Sequence, residues 1–487
     1  MENNTLKFLL NDKQVEIDFL KTDYLPSTTV LNYLRSQSDL SGTKEGCAEG
    51  DCGACTVVLV ELLDHQLIYK TIDSCLLFLA SIHGKQLITV EYLSQKKGQD
   101  IVLHPVQQAM VNYHGSQCGF CTPGFVMSIF GMHKSETPVN DKSIIETLSG
   151  NLCRCTGYKP IADAVQHDCH LKFDDHISAK EGQVKNQLIG INHSIPSLKI
   201  HASEQIYLLP STLEEAISLK KNYPESRIIN GATDIAIRQN KTHEYLPCIL
   251  DVSNIKCLKK IDEIDGFFLL GSGVTIEQFK IFSENYYKPF QKITDVFASL
   301  QIRNAATIGG NLSTASPIGD LIPLFYAVKA KLQITGSKGD RVVNIEDFIT
   351  GYRKNCLQND ELLVSILLPF LEDDIFVFSE KVSTRRDLDI ATVSLAARLK
   401  LSSGNRVDEI ILAYGGMAET VKRAEKAENF LIGKLWSQDN IEAAMAFIEQ
   451  DFTPLSDARS GKEYRSTVSK NLLLKLFLLK RSGIVNN

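Results

Sequence analysis

Eleven consecutive residues, Glu45-Gly46-Cys47-Ala48-Glu49-Gly50-Asp51-Cys52-Gly53-Ala54-Cys55, carry three cysteines and three glycines. Thiolates ligate iron–sulfur clusters and soft metals, and a C-x4-C-x2-C run with a distant fourth cysteine is one [2Fe–2S] ligand spacing. Here the fourth is Cys75. A loop folded tightly around inorganic sulfur needs backbone angles that side chains resist, and its N–H groups must turn inward, which suits the glycines. Cys52-x2-Cys55 taken alone would equally suit a structural zinc ion. A second set follows: Cys118, Cys121, Cys153 and Cys155, spaced C-x2-C-x31-C-x1-C. One residue between two ligands is tighter than the gap of about two to four that zinc favours. The second set therefore also reads as a [2Fe–2S] site, with zinc as the alternative.

Distinct elements are expected to position the two sets. Leu6 to Leu10 and Val15 to Phe19 are β-prone runs joined by Asn11-Asp12, a hairpin pattern. A helix should start at Pro26-Ser27 with Val30, Leu31 and Leu34 on its apolar face. Beyond the cysteine loop, Thr56 to Leu63 and Gln66 to Tyr69 form a second hairpin pattern that leads to Cys75. From His104 the periodicity becomes helical, with Pro105 at a first helical position. Each pair of the second set falls at a turn between helical patterns: Cys118 and Cys121 before Phe125 to His133, Cys153 and Cys155 between Ile144–Leu148 and Ile161–Val165.

The bulk numbers fit this reading. At 487 residues, three or four units with cores of their own are expected. A net charge of -6 advertises no basic face for nucleic acid and no polybasic segment for a membrane. The N-terminus lacks a basic start followed by an apolar run, so a cytoplasmic protein is expected. Eight of the twelve cysteines fall between Cys47 and Cys155, a clustering that favours ligands over disulfides. Cys169 has no partner at ligand spacing and reads as an ordinary thiol. Residues from His167 to about Ile200 lose periodicity and read as a surface linker.

The second half holds no paired cysteines but two glycine-bearing segments. Ile228-Ile229-Asn230-Gly231-Ala232-Thr233-Asp234-Ile235 breaks from an apolar run into small polar residues, and Thr307 to Asp320 is dense in glycine and hydroxyls. Such backbone can approach a phosphate without a cationic patch, though most glycine-serine loops are plain turns. Gly271-Ser272-Gly273 begins like a G-x-G-x-x-G fingerprint, but Ile276 occupies the third glycine position, which argues against the common dinucleotide fold. Strand patterns at Ile390 to Leu401 and Val407 to Tyr414 precede helical patterns near 419–432, 437–450 and 466–480.

Two unlike [2Fe–2S] motifs in succession, with CGFCTPG and NLCRCTGY, resemble the iron–sulfur half of the molybdenum hydroxylases, such as the xanthine dehydrogenases. ATIGGNLSTASPIGD and, more loosely, INGATDI resemble that family's flavin loops; members often carry asparagine and glutamate where this chain has Ala232 and Asp234. The resemblance implies a multidomain α+β chain. It would comprise a β-grasp ferredoxin-like domain (1–85), an all-α helical [2Fe–2S] domain (86–168) and a linker (169–200). An α+β FAD-binding domain of the vanillyl-alcohol-oxidase type (201–375) and a C-terminal α+β lobe (376–487) would complete it.

It further implies FAD contacts from Ile228, Ile229, Asn230, Gly231, Ala232, Thr233, Asp234 and Ile235 in one loop and Thr307, Ile308, Gly309, Gly310 and Asn311 in the other. Phe297 would approach the isoalloxazine, and Asp320, Leu363 and Lys381 would complete the site. From the residues alone, Phe297 would be core and Lys381 part of a solvated charge run. Gln117 and Cys155 would lie close to a molybdopterin on another chain. No catalytic residue is expected here, because the molybdopterin domain that hydroxylates substrate has no counterpart in the sequence and should belong to a large partner subunit. The arrangement resembles the small subunit of bacterial xanthine dehydrogenases. Its implied role is to pass electrons from the molybdopterin through two [2Fe–2S] clusters to FAD and then to NAD+, in a dimer of heterodimers, supporting hydroxylation of hypoxanthine and xanthine to urate. The alternatives are the same role for an aldehyde or another N-heterocycle, a stand-alone NADH-dependent iron–sulfur flavin reductase, and a zinc-stabilised scaffold.

Overall fold

The computed structural model describes residues 3–168 and 175–483. Cys169, expected to be an ordinary thiol, lies outside them. The chain forms two compact units: Met1–Ile255 with Ala298–Ala306, and Lys256–Phe297 with Thr307–Asn487.

In the first unit, β1 (Thr5–Leu10) pairs antiparallel with β2 (Lys13–Asp18), and β3 (Thr56–Leu63) with β4 (Gln66–Asp73). Both turns use left-handed residues, Asn11 in the first and Asp64 with His65 in the second, the conformation that tight hairpins require. The sheet order is β2-β1-β5-β3-β4, with β5 at Gln86–Ile88 in the centre. The expected boundary at residue 85 thus precedes the central strand, which at three residues is too short to show a period. Thr29 caps the helix Val30–Ser36, whose Val30, Leu31 and Leu34 are buried in one core with Leu6, Phe8, Val57 and Phe78. This is the expected β-grasp arrangement.

A small hairpin, Gln95–Lys97 with Asp100–Val102, leads into the helices Pro105–Asn112, Thr122–Lys134, Asp141–Leu148 and Lys159–Asp168. Their shared core contains Val106, Phe125, Phe130, Ile144, Ile161 and Val165. The span read as an irregular linker differs: Glu181–Ser194 is a helix that buries Val184, Leu188 and Ile191 with Leu9. Those apolar positions recur at helical spacing, but Gly182, Gly190 and the amide side chains among them read as loop. A further sheet of the first unit runs in the order Arg227–Ile229, Cys248–Asp251, Gln205–Leu209, Leu198–Ala202.

The second unit holds a five-stranded antiparallel sheet in the order Ile261–Ile264, Phe267–Gly271, Glu361–Pro369, Lys331–Gly336, Gly339–Asn344. A second sheet, Ile375–Val382, Val393–Leu401, Val407–Gly415 and Lys422–Arg423, packs with the helices Glu425–Leu431, Gln438–Asp451 and Lys462–Arg481. The helical pattern expected from 419 begins at Glu425, because Lys422 and Arg423 pair as a strand with Ala413 and Tyr414. Among the described residues no helix is long and apolar enough to cross a membrane.

Candidate functional site

The first cysteine loop enters β3 at Cys55, and Cys75 lies just beyond the end of β4. Three left-handed residues, Ala48, Gly50 and Gly53, curl it within six positions. The backbone N–H groups of Glu49 and Asp51 donate to the Cys47 sulfur at 3.5 and 3.3 Å. That is the inward N–H pattern expected around anionic sulfur. The four thiols of this set interact as two pairs. Cys47 is pulled down to about 5 by a hydrogen bond from Cys52 and by backbone N–H groups, and Cys52 is pushed up in turn. Cys55 is pushed up by its contact with Cys75 and by burial. Asp73 accepts from the Cys55 thiol at 3.5 Å, and burial raises this carboxyl to about 7.

The second set also pairs. Cys121 meets Cys153, and Cys118 meets Cys155. Burial and then Cys153 push Cys121 up to about 12. Burial opposes ionisation of Cys153, but the Thr156 hydroxyl, at 3.2 Å, leads the groups that bring its pKa below the ordinary value. Cys121 sits at the N-terminus of the helix Thr122–Lys134, whose dipole favours negative charge there. A [2Fe–2S] cluster takes two thiolates on each iron, and two pairs per set fit that donor requirement.

The two sets differ in exposure. Cys55 and Cys75 are buried, whereas Cys118 and Cys155 are exposed. Gln117 shares that exposed stretch. The loops nevertheless touch. The Leu152 N–H donates to the Cys52 carbonyl at 3.0 Å, and the Asn151 amide donates to the Gly53 carbonyl at 2.9 Å. A Cβ at Gly53 would overlap the Gly150 carbonyl, and φ there is 64°, so glycine is required on both counts.

The residues expected to contact FAD fall in both units. In the first, Arg227–Ile229 is an edge strand, Ala232 is left-handed, and Asp234 immediately precedes the helix Ile235–Thr242. Gly231 packs on backbone, since a Cβ there would overlap the Ala305 carbonyl. In the second unit, Thr307 caps the short helix Ile308–Ser313 and accepts from the Gly310 N–H at 3.1 Å. Gly309 is packed on Ser272, while Gly310 is exposed. Phe297 is half-buried, and Leu363 is buried on the strand Glu361–Pro369.

Lys381 forms a 2.7 Å ion pair with Asp320, so it is no member of a solvated charge run. Burial raises the Asp320 carboxyl, and Lys381 opposes that rise. Asp320 Oδ1 and Asn311 Oδ1 are buried without a protein donor. A glycine-edged loop with acceptors awaiting donors fits a polar cofactor such as FAD. Sequence reasoning missed Asp73, Asn151, Asn240 and Gln301. The Asn240 amide donates to the carbonyls of Ala48 and Cys75 at 3.0 and 2.8 Å, contacts that no local pattern announces.

Comparison with known proteins gives matches along most of the chain. The family described as "FAD binding domain in molybdopterin dehydrogenase" matches residues 199–371. "[2Fe-2S] binding domain" matches 89–166, and "CO dehydrogenase flavoprotein C-terminal domain" matches 379–479. Xanthine dehydrogenase 1 of Arabidopsis thaliana is 33% identical over 95% of this chain and 39% of its own length. Xanthine dehydrogenase/oxidase of Gallus gallus is 30% identical over 97% of this chain and 40% of its own length. The chain thus spans about two fifths of these curated relatives. Among solved structures, a chain of Cu,Mo-CO dehydrogenase is 26% identical with a TM-score of 0.51, covering 55% of this chain and 93% of that one. A chain of quinoline 2-oxidoreductase from Pseudomonas putida 86 is 25% identical with a TM-score of 0.52, covering 57% and 96%.

Proposed function

We propose that this chain is the electron-transfer subunit of a xanthine dehydrogenase in the molybdenum hydroxylase family, a reading supported by its matches to the FAD-binding, [2Fe-2S]-binding and flavoprotein C-terminal domains and by its similarity to xanthine dehydrogenases. In this reading a large partner subunit holds molybdopterin and hydroxylates hypoxanthine and xanthine, and this chain carries the electrons onward to NAD+. Bound iron–sulfur clusters supply single-electron steps and bound FAD a two-electron hydride step. Cys47, Cys52, Cys55 and Cys75 would hold one [2Fe–2S] cluster, and Cys118, Cys121, Cys153 and Cys155 the other. The loops at Ile228–Ile235 and Thr307–Asn311, with Phe297, Asp320, Leu363 and Lys381, would hold FAD.

The observation that carries the reading is the contact between the cysteine loops combined with their unequal exposure. The Leu152–Cys52 hydrogen bond joins the loops, while Cys118, Cys155 and Gln117 open to the surface, where a partner's cofactor can approach. Oligomers of this kind commonly close by twofold symmetry, which suggests a dimer of two-chain units. A carrier of the same construction could serve an aldehyde or another N-heterocycle, since the substrate pocket would lie on the partner.

Native purification tests the proposal. The expected result is a co-purifying molybdenum-containing chain and xanthine-dependent reduction of NAD+. Native purification that yields no molybdenum-containing partner and no xanthine-dependent reduction of NAD+ would overturn it in favour of a stand-alone reductase.

A further inference from the structure

Between Phe297 and Thr307 the chain contributes a short segment to the first unit. Its helix, Leu300–Arg303, is capped by Ser299, whose hydroxyl accepts from the Ile302 N–H at 3.3 Å. Gln301 is 1% exposed, as are Ser128 and Asn151, and Thr56 is 2% exposed. The Gln301 amide donates to Ser128 Oγ at 3.0 Å and to Asn151 Oδ1 at 3.1 Å, and it reaches Thr56 Oγ1 at 3.5 Å. Ser128 donates to the same Asn151 oxygen at 2.6 Å. Asn151 and Thr56 then both donate to the Gly53 carbonyl, at 2.9 and 2.7 Å.

Each partner lies close in sequence to a cysteine set. Ser128 is on the helix that begins at Cys121, Asn151 is two residues before Cys153, and Gly53 lies between Cys52 and Cys55. One amide therefore ties both arms of the second set to the loop of the first. The rest of the segment meets the remaining loops. Ile302 lies where a Cβ on Gly50 would fall, Asn304 donates to the Thr71 carbonyl on β4 at 3.0 Å, and Ala305 abuts Gly231. Loops by themselves are the least constrained part of a fold, whereas a buried network with its donors paired fixes one geometry.

We propose that Gln301 is a positioning residue that sets the spacing between the two cysteine loops. The proposal rests on the reading of both loops as cluster sites. The hydrogen bonds of Gln301 go to Ser128, Asn151 and Thr56 and not to a cysteine sulfur, so it acts through Ser128, Asn151 and Gly53. A leucine at 301 would keep approximate bulk but remove both amide donors, leaving Asn151 Oδ1 with Ser128 alone and freeing the second-set loop to shift. A residue serving stability alone would lower the unfolding midpoint and leave the inter-cluster distance unchanged.

The distance is readable without turnover. When both clusters are reduced and paramagnetic, their magnetic interaction splits the electron paramagnetic resonance lines at low temperature, and the splitting falls steeply with separation. The holoprotein and the variants Gln301→Leu and Ser128→Ala would be compared after dithionite reduction, with iron content measured in parallel. The expected result is a resolved splitting in the wild type that narrows or is lost in both variants at unchanged iron content. An unchanged splitting at unchanged iron content overturns the role of Gln301. If Gln301→Leu fails to retain iron, Ser128→Ala decides by the same two outcomes. Absence of [2Fe–2S] signals from the wild type would instead overturn the cluster reading itself. Two unsplit signals in the wild type would overturn the proposal while sparing that reading.

Discussion

The backbone N–H of Leu152 donates to the carbonyl of Cys52 at 3.0 Å, so the two cysteine sets are joined by a main-chain hydrogen bond one residue from Cys153. Such an approach requires backbone without side chains in the way, and Gly53 and Gly124 supply it: a Cβ on Gly124 would overlap the Gly53 carbonyl. The contact gives the two proposed clusters a route of one hydrogen bond and a few covalent bonds.

Replacing Cys155 by serine removes an exposed thiol of the second set and leaves the buried pair Cys55 and Cys75 untouched. The expected outcome is loss of one [2Fe–2S] signal and a fall from about four irons per chain to about two. Xanthine-dependent flavin reduction should stop while NADH oxidation by dyes persists. Normal flavin reduction by xanthine in this variant would contradict the proposed order of carriers.

Gly53→Ala combines a left-handed φ of 64° with overlap on the Gly150 carbonyl. Overpacking of this kind costs about 1–3 kcal/mol. Chemical denaturation should show that loss, accompanied by impaired iron loading of both sets because the residue lies at their contact. Gly98→Ala, also at a positive φ but with nothing near its Cβ, should leave iron loading intact.

Lys381→Met leaves Asp320 buried without its ion-pair partner. Breaking a buried pair costs about 3–5 kcal/mol while the remaining charge persists. Burial already raises the Asp320 pKa in the folded state, and loss of Lys381 raises it further. The variant's deficit is therefore absent below the unfolded pKa and grows as pH rises through the folded one. Thermal unfolding and retained FAD, followed together against pH, should show the variant closest to wild type at the acid end.

His83 supplies a pH dependence independent of any cofactor. Its Nδ1 accepts from the Lys7 N–H at 3.2 Å and its Nε2 meets the Ile195 carbonyl at 2.9 Å, an arrangement of the neutral ring. Burial, followed by Lys85 and Lys7, lowers its pKa from 6.5 to about 4. Protons then favour the unfolded chain, so its contribution is complete above the unfolded pKa and is lost as pH falls from 6.5 toward 4. The loss amounts to about 3 kcal/mol. Denaturation at several pH values should show this slope in the wild type and a flatter one in His83→Gln.

Much of the fold was legible because hairpins and amphipathic helices are local patterns: the turns at Asn11 and Asp64-His65 and the faces at Val30 and Val106 are written within a few residues. The cysteine sets were legible for the same reason, since ligand spacing is a sequence property. Local spacing does not carry three-residue β5 at the sheet centre, and in Glu181–Ser194 the helical spacing of Val184, Leu188 and Ile191 is interrupted by glycines and amide side chains that read as loop. The contacts of Gln301 span 150 to 245 positions, and those of Asn240 span 165 and 192. Only folding brings such residues to the loops.

Anaerobic titration of the native protein with NADH, followed by electron paramagnetic resonance, tests the central claim most directly. The account predicts two distinguishable [2Fe–2S] signals that both grow as NADH is added, with about four irons per chain. A single signal, or zinc at either cysteine set in place of iron, would contradict it.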